Sequence, residues 1–161
     1  MIIHPIPPVF DKGSKILILG SFPSVKSREA GFFYGHPRNR FWKVIAAVSW
    51  DTVPETIEEK RAFLLRNHIA VWDVIQSCEI EGSSDTSIRN VVTNDLKRII
   101  DYADISRIFV NGKTAEKYYI KYIEPELGIK AHCLPSTSPA NAAWSLERLI
   151  DAWKCIEPKL Y

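Results

Sequence analysis

The sequence has few of the residues from which metal and redox centres are built. Its 161 residues include three cysteines, widely spaced and without a Cys-x-x-Cys pair, and four histidines without metal-ligand spacing. A scattered, odd set of cysteines is typical of a reducing cytoplasm and argues against a cysteine-bound zinc or iron–sulfur site. We therefore expect a cytoplasmic protein without a metal or any other cofactor.

No segment of the chain is typical of a membrane span or of a dinucleotide site. The apolar N-terminus, MIIHPIPPVF, is interrupted by three prolines, so we expect neither a signal peptide nor a spanning helix. No Gly-x-Gly-x-x-Gly or P-loop pattern follows the first apolar run, which disfavours a nucleotide-binding domain. With 46% hydrophobic and 25% charged residues, the chain is predicted to form one globular domain over residues 1–161 and to be a monomer.

Short apolar runs alternate with amphipathic patterns along the chain. The runs, which predict buried parallel strands, are residues 15–19, 69–74, 107–111 and 129–134. The amphipathic patterns predict helices beginning near residue 40, at the Thr56 capping box, at a cap on Thr93 or Asn94, at residue 113 and near residue 146. This alternation predicts an α/β protein, a three-layer α/β/α sandwich with a mostly parallel central sheet.

Other segments are expected to be irregular or to bury particular side chains. Residues 1–14 are predicted to be an extended, Pro-rich lead-in, and the polar residues 77–90 a long surface loop. The helix from residue 113 is predicted to continue to residue 124, with Tyr118, Tyr119 and Tyr122 on its inner face.

The stretch GSFPSVKSREAGFFYGHPRNRFW, residues 20–42, has the most distinctive composition. It offers about twenty residues without regular apolar periodicity, and a loop of that length in a compact domain is usually functional. Residues 21–43 carry a net charge of +4, whereas the whole chain carries +2. The chain has 5 Trp, 6 Tyr and 7 Phe, and six of these aromatic residues lie in the same stretch. Positive charge between aromatic rings suits a nucleic acid. The alternative is that the rings belong to the core and the charges to a solvated rim.

A second polar loop, PSTSPAN at residues 135–141, is expected to lie beside the first. The carboxyl ends of parallel strands share one edge of a sheet, so the loops that follow them converge there. Hydroxyls and free N–H groups before a helix can bind phosphate, although an ordinary capped turn is the alternative. An asparagine such as Asn39, taken alone, is more often a helix N-cap than a catalytic group. The two loops together favour DNA as the partner.

These motifs resemble those of the uracil-DNA glycosylase superfamily. GSFPS, GFFYGHPRNRFWKVI and LPSTSPAN carry the similarity, which is dense over residues 16–45 and looser over 134–150. The longest match is to mismatch-specific uracil/thymine-DNA glycosylases, but Phe22 stands where those enzymes have a catalytic Asn and the main uracil enzymes an Asp. GSFPS with YGHPRN and WDV resembles instead the hypoxanthine-DNA glycosylase branch. In that branch the Asn of the HPxN segment, Asn39 here, is taken as the catalytic residue.

The resemblance implies a monofunctional DNA glycosylase that flips deaminated bases, chiefly hypoxanthine, out of the stack and hydrolyses their N-glycosidic bond. Residues implied to bind the base are Gly20 and Ser21 through their backbone, Phe22, Tyr34 as a stacking ring, and Asp73 at the place of a base-reading Asn. Residues expected to bind DNA are Ser136 and Ser138 on phosphate, Pro139, Ala140 and Asn141 as a wedge, and the basic Lys26 and Arg38. A structural role for Asp73, capping the turn after its strand, is the alternative.

The chemistry of the reaction is compatible with a neutral catalytic residue. The departing base anion needs preorganised donors, such as backbone N–H groups, rather than a strong base. Water that attacks a near-cationic sugar needs orientation more than deprotonation, and we expect the Asn39 amide oxygen to supply it. Two other functions stay open at this point. One is a uracil- or mismatch-directed glycosylase, and the other is a DNA-binding module that lost catalysis when Phe22 replaced the usual catalytic residue.

Overall fold

The structure, a computed structural model that describes residues 1–156, is organised around a parallel sheet of four strands. These are β2 (Ile16–Gly20), β3 (Ile69–Asp73), β6 (Arg107–Asn111) and β7 (Ala131–Leu134), in the spatial order β3-β2-β6-β7. Every residue of β2 and β3 is buried, as continuous apolar runs in a covered parallel sheet should be. The predicted three-layer α/β/α architecture is confirmed.

Helices cover both faces of this sheet. They are α1 (Val25–Ala30), α2 (Phe41–Val48), α3 (Ile57–Arg66), α4 (Lys97–Ile100), α5 (Lys113–Tyr118), α6 (Glu124–Leu127) and α7 (Leu146–Trp153). Because parallel crossovers are right-handed, the helices between β2 and β3 lie on one face and those between β3 and β7 on the other. The last helix, α7, returns to the first face, where it packs against α2.

The contact between α2 and α7 forms the centre of the core on that face. Phe41 and Trp153 are fully buried, and their rings meet edge to face with centroids 5.9 Å apart. The indole N–H of Trp153 donates to the carbonyl of Pro135 at 3.0 Å. The last helix is therefore attached at its far end to the start of the polar loop that precedes it.

Local capping signals in the sequence have the expected partners. Thr56 accepts from the N–H of Glu59, whose side chain accepts from Thr56 in return, so the predicted capping box begins α3. The loop after β2 is more regular than expected, because Ser24 caps the short helix α1 through the N–H of Ser27. This helix ends at Gly31, whose φ of 76° needs a glycine.

A second, antiparallel sheet contradicts one of the sequence-based expectations. Strands β1 (Ile2–Ile3), β4 (Ile75–Glu79) and β5 (Arg89–Thr93) pair in the order β1-β4-β5. Residues 77–90 are therefore a hairpin with a 3₁₀ turn near its tip rather than a loop, and the extended segment at residues 1–14 contributes β1. The pairing of Ile2 with Cys78 joins distant parts of the chain. Local sequence patterns do not report such pairings.

Three smaller expectations about element ends are also wrong. Neither Thr93 nor Asn94 caps α4, because Thr93 belongs to β5 and the Asn94 amide donates to the carbonyls of residues 73 and 75. The helix from residue 113 is interrupted by a π-helical turn, Tyr119–Ile123, which leaves Tyr122 37% exposed. Strand β7 begins at Ala131 rather than at residue 129. Within residues 1–156 no helix combines the length and apolarity needed to cross a bilayer.

Replacing Trp153 with alanine should destabilise the fold by about 3–5 kcal/mol, the range for removing a fully buried tryptophan. Trp50→Ala is the matched control, because Trp50 is 90% exposed and its loss should change stability by no more than about 0.5 kcal/mol. Urea unfolding followed by circular dichroism measures both. Equal losses in the two variants would show that the α2–α7 contact is not a centre of stability.

Candidate active site

A cavity of about 430 Å³ opens at the carboxyl edge of the parallel sheet. Residues that end or follow each of the four strands line it, namely Gly20, Asp73, Asn111 and Ser136. The connection after β2 leads to one face of the sheet and the connection after β6 to the other, so the cavity lies at a topological switch point. Ligands of open α/β sheets bind at such points.

Three polar side chains join different loops at the floor of this cavity. Asn111, at the end of β6, donates from Nδ2 to Thr137 Oγ1 at 3.0 Å and accepts from the Thr137 N–H at 3.1 Å. The Thr137 hydroxyl in turn donates to Asn39 Oδ1 at 2.9 Å. Thr137 is fully buried, so this connection between the two loops is shielded from water.

The Asn39 side chain combines the two roles that the sequence left open. Its Oδ1 also accepts from the N–H of Phe41 at 2.9 Å, at the start of α2. With donors from Phe41 and Thr137, Oδ1 has little capacity left for the water that we expected it to orient. Within residues 1–156 its Nδ2 makes no hydrogen bond, and the residue lines the cavity. The group that Asn39 offers to a ligand is therefore a donor.

Arg40 fastens the polar loop from the same side. Its guanidinium donates to the carbonyls of Ser138 at 3.0 Å and Asn141 at 3.1 Å and also to that of Trp144, while its N–H donates to the Thr137 carbonyl. Arg40 thus contributes to the positive charge of the first loop without being free to bind phosphate. Its effect is to hold residues 137–144 in one conformation.

Gly20 allows two side chains to come together at one end of the cavity. A Cβ atom at this position would lie 2.4 Å from Asp73 Oδ1 and 3.1 Å from the Tyr34 hydroxyl oxygen. The first distance is a clash and the second is tight, so the close approach requires glycine. The backbone carbonyls of Gly20 and Ser21 already accept from the N–H groups of Val74 and Ile75. Each of these carbonyl oxygens keeps one lone pair that a donor on a base could meet.

Tyr34 lies with one ring face covered. Its ring stacks on Phe41 with centroids 3.9 Å apart, so only the other face is left for a flipped base. Its φ of 53° is unusual for a bulky residue. The buried hydroxyl donates its proton to no described residue, and the Asn111 side chain lies near its oxygen. Burial raises the pKa of this phenol far above its ordinary value, and the Asp73 carboxylate raises it further, so the group remains a donor at neutral pH.

Asp73 has a partner that the sequence did not predict. Its Oδ2 lies 2.7 Å from Nε2 of His4, and the two side chains are 5% and 2% exposed. Asp73 therefore does not cap the turn after β3, which was the structural alternative. Its second oxygen has no hydrogen bond within the described chain and faces the cavity beside Gly20.

The two serine hydroxyls of the polar loop, unlike that of Thr137, are arranged with their protons free. Ser136 Oγ accepts from the Ser138 N–H, and Ser138 Oγ accepts from the Ala140 N–H, both at 3.1 Å. A serine hydroxyl that accepts a backbone hydrogen bond can still donate its own proton to a phosphate oxygen. Asn141 donates to the Ser136 carbonyl at 3.0 Å, which holds the turn closed beneath the exposed Ala140.

Most of the residues proposed from sequence meet at the cavity. Those that line it are Gly20, Ser21, Phe22, Tyr34, Asn39, Asp73, Ser136, Ser138 and Ala140. Those outside its lining are Lys26, Arg38, Pro139 and Asn141. Lys26 and Arg38 are exposed, and Lys26 lies 3.8 Å from Glu29. Four of the six aromatic rings in residues 20–42 belong to the core, namely Phe32, Phe33, Phe41 and Trp42. For these four, the alternative that the rings of this stretch are core residues is right.

Sequence reasoning missed His4, Asn111, Thr137 and the turn at residues 83–86, all at or next to the cavity. The position of Asn111 at the end of a strand could have indicated it, and Thr137 stands between two serines that were chosen. The turn at 83–86 is held over the cavity because Val25 N–H donates to Ser83 Oγ and Thr114 donates to Asp85. No local pattern could have indicated His4. Residues 1–156 contain no cluster of three side chains able to hold a metal ion.

A parallel sheet with a polar cavity at its carboxyl edge defines an α/β protein that binds its ligand between strand-end loops. A model of the uracil DNA glycosylase superfamily matches residues 7–157, which is most of the chain. The chain belongs to this superfamily. The match covers both the loop after β2 and the loop after β7, so the cavity lies between the segments from which the resemblance was drawn.

Individual relatives within the superfamily are similar to most of the chain. A hypoxanthine DNA glycosylase from Methanosarcina acetivorans is 34% identical over 153 residues, covering 92% of this chain and 94% of that protein. A protein of the same name from Methanosarcina barkeri is 34% identical over 137 residues, covering 84% and 85%. A solution NMR structure from Methanosarcina acetivorans, described as a candidate uracil DNA glycosylase, superposes with a TM-score of 0.82 at 32% identity, covering 97% of this chain and 96% of that one.

Gly20→Ala should lower base excision because its Cβ would displace Asp73 Oδ1 or the Tyr34 hydroxyl. A displacement of about 1 Å at a reacting group can cost on the order of 10²-fold in rate. Gly128→Ala is the control, because Gly128 has a φ of 68° and no atom near its would-be Cβ. It should lose stability through backbone strain and keep its rate. Single-turnover kinetics and thermal melts separate the two effects, and a Gly20→Ala enzyme with full activity would contradict the described packing.

Proposed function

We propose that this chain is a monofunctional DNA glycosylase that hydrolyses the N-glycosidic bond of deaminated bases, chiefly hypoxanthine in deoxyinosine. The relatives that match most of the chain are named hypoxanthine DNA glycosylases, and the chain belongs to their superfamily. The observation that carries the proposal is Asn39, held at the cavity by two hydrogen bonds to Oδ1 with its Nδ2 unpaired. We expect a monomeric, metal-free enzyme of the cytoplasm.

Asn39 acts as a donor in this proposal. When the C1′–N9 bond breaks, its electron pair goes to the purine, and negative charge spreads over the ring nitrogens and O6. A fixed amide N–H aimed at this charge stabilises the transition state without having to reorganise. Water adds its oxygen to C1′, and the proton it loses neutralises the purine anion, so the products are free hypoxanthine and an abasic sugar. The sugar resembles a cation at that point, so the water needs no strong base.

The surrounding residues bind the flipped nucleotide. Ser136 and Ser138 donate to a backbone phosphate, and the exposed Ala140 enters the space that the base leaves in the stack, with Pro139 and Asn141 supporting it. Lys26 and Arg38, exposed and outside the cavity, lie against phosphates farther along the strand. Because one face of Tyr34 is covered by Phe41, a flipped base can stack only on the other face.

Phe22 forms a wall of the base pocket. It lines the cavity, and its ring meets the imidazole of His4 edge to face at 5.8 Å. It supplies no acid or amide to the chemistry, so within the cavity the catalytic group has to come from elsewhere. Asn39 is the side chain there with an unpaired amide donor next to the loop that binds phosphate.

A uracil-directed glycosylase is the second candidate. The superposed solution NMR structure is described as a candidate uracil DNA glycosylase, and uracil presents the same N–H and C=O pattern as hypoxanthine. Oligonucleotides that carry one inosine, uracil or xanthine, assayed for alkali-labile abasic sites in excess EDTA, separate the candidates. Faster cleavage at uracil than at inosine would favour the second.

Replacing Asn39 tests the assignment directly. Asn39→Ala should lower single-turnover cleavage at inosine by about 10²-fold or more, the scale of one preorganised donor. Asn39→Asp keeps the oxygen that accepts from Phe41 and Thr137 but replaces the donor with a negative charge beside the departing anion. It should therefore also be impaired, with a melting temperature near that of the unmodified protein because Asp caps a helix as well as Asn does. Full activity in Asn39→Asp would leave Asn39 with a structural role alone.

A further inference from the structure

His4 reaches the cavity through the small antiparallel sheet. Pairing of β1 with β4 continues one residue further, where the His4 N–H donates to the Gln76 carbonyl at 2.6 Å. This pairing brings the N-terminal segment alongside the end of β3. His4 thereby meets Asp73, which is 69 positions away in the sequence. The imidazole then lies between Phe22 and Phe33, with ring centroids 5.8 and 6.0 Å from its own. The side chain is 2% exposed and is fixed in place.

The hydrogen bonds of the imidazole determine where its proton lies. The N–H of Ile6 can only donate, and it donates to Nδ1 at 3.2 Å. Nδ1 is therefore an acceptor, so the ring proton is on Nε2, which donates to Asp73 Oδ2 at 2.7 Å. One oxygen of the Asp73 carboxylate is thus occupied by a donor from outside the cavity.

The other oxygen, Asp73 Oδ1, is directed to the cavity. It lies 2.4 Å from the point where a Cβ of Gly20 would be, and the Tyr34 hydroxyl lies 3.1 Å from the same point. Within residues 1–156 Asp73 Oδ1 accepts no hydrogen bond and the Tyr34 hydroxyl donates its proton to no residue. An acceptor and a donor, both unpaired, therefore lie next to each other where the base would bind. A ligand with an N–H beside a C=O satisfies both.

We propose that His4 is a positioning residue, which holds Asp73 so that Oδ1 accepts from the ring N–H that deamination creates. Adenine and cytosine present a ring-nitrogen lone pair beside an amino group, whereas hypoxanthine and uracil present an N–H beside a carbonyl. The carboxylate accepts from the second pattern and repels the lone pair of the first. The His4–Asp73 pair therefore rejects adenine and cytosine, the undamaged parents of hypoxanthine and uracil, a selectivity that rests on the proposed function.

The strength of this selectivity depends on the fixed orientation of the carboxylate. A site built to hydrogen-bond a substrate N–H can reject an analogue that lacks it by about 10⁴-fold, because the buried polar group would be left unpaired. A carboxylate without its anchoring donor can rotate and turn either oxygen away. His4 touches no substrate atom in this scheme, and its contribution is made entirely through Asp73.

Three variants test the proposal. His4→Phe keeps a ring between Phe22 and Phe33 but removes the donor, and it should slow single-turnover cleavage at inosine by about tenfold or more, the effect of losing one hydrogen bond that positions a reacting group. His4→Gln retains an Nε2–H at a similar reach and should keep most of the rate. In Asp73→Asn, the His4 N–H binds the amide oxygen, so the NH₂ group faces the cavity and inosine cleavage should be lost.

Affinity for DNA that contains a tetrahydrofuran abasic analogue supplies the control. This product-like DNA carries no base, so all three variants should bind it as the unmodified protein does if His4 and Asp73 act on the base. Melting temperatures are measured on the same samples. Loss of abasic-site affinity together with cleavage in His4→Phe would assign His4 a structural role and overturn the proposal.

Two further outcomes also overturn it. One is inosine cleavage at the unmodified rate in Asp73→Asn. Because asparagine has the shape of aspartate, this variant still tests the proposal if His4→Phe does not fold. The other is failure of His4→Gln to restore the rate in a folded protein. Failure of the proposed function is distinguishable, because then the unmodified protein would excise no hypoxanthine. If it excises uracil instead, the same variants are compared on uracil, whose ring N–H offers the same donor.

Discussion

The hydrogen bond from the Thr137 hydroxyl to Asn39 Oδ1 is the interaction on which the rest of the site depends. It joins the loop after β2 to the loop after β7, and Asn111 anchors it to the end of β6. Arg40 adds bonds to three carbonyls of the second loop. Because Thr137 is fully buried and Asn39 Oδ1 already accepts from two donors, the network holds the Asn39 side chain in place and leaves its amide nitrogen as the group presented to a ligand.

This network also explains how the site can lack an acid at the end of β2. Phe22 occupies that place and packs against His4 instead of meeting the substrate with a polar group. The proposed catalytic amide comes from the start of α2, and the proposed base reader, Asp73, is oriented from the N-terminal segment. The group proposed to stabilise the leaving base and the group proposed to read it are therefore held by different parts of the chain. Changes at His4 should therefore act through the contact of Asp73 with the base, whereas changes at Asn39 act on the departing anion.

The parts of the fold that sequence could predict are those determined by local residues. The four apolar runs predicted the strands of the parallel sheet, and the Thr56 capping box predicted the start of α3. Both predictions succeed because strand burial and helix capping depend on neighbours along the chain. Asn39 and Ser136 could be chosen from their motifs. The pairing of β1 with β4 and the His4–Asp73 contact could not, since they join residues about 70 positions apart. Composition also misled, because four of six rings in residues 20–42 serve the core.

The most direct test of the account is a double-mutant cycle between Asn39 and Thr137. Thr137→Val removes the hydroxyl at nearly constant volume, and Thr137→Ser, which retains it, is the control. If Thr137 acts by holding Asn39, Thr137→Val should slow single-turnover inosine cleavage by about tenfold in the unmodified protein and have no further effect in Asn39→Ala. Additive losses in the double variant would show that Thr137 and Asn39 act independently and would contradict a catalytic Asn39 positioned by this bond.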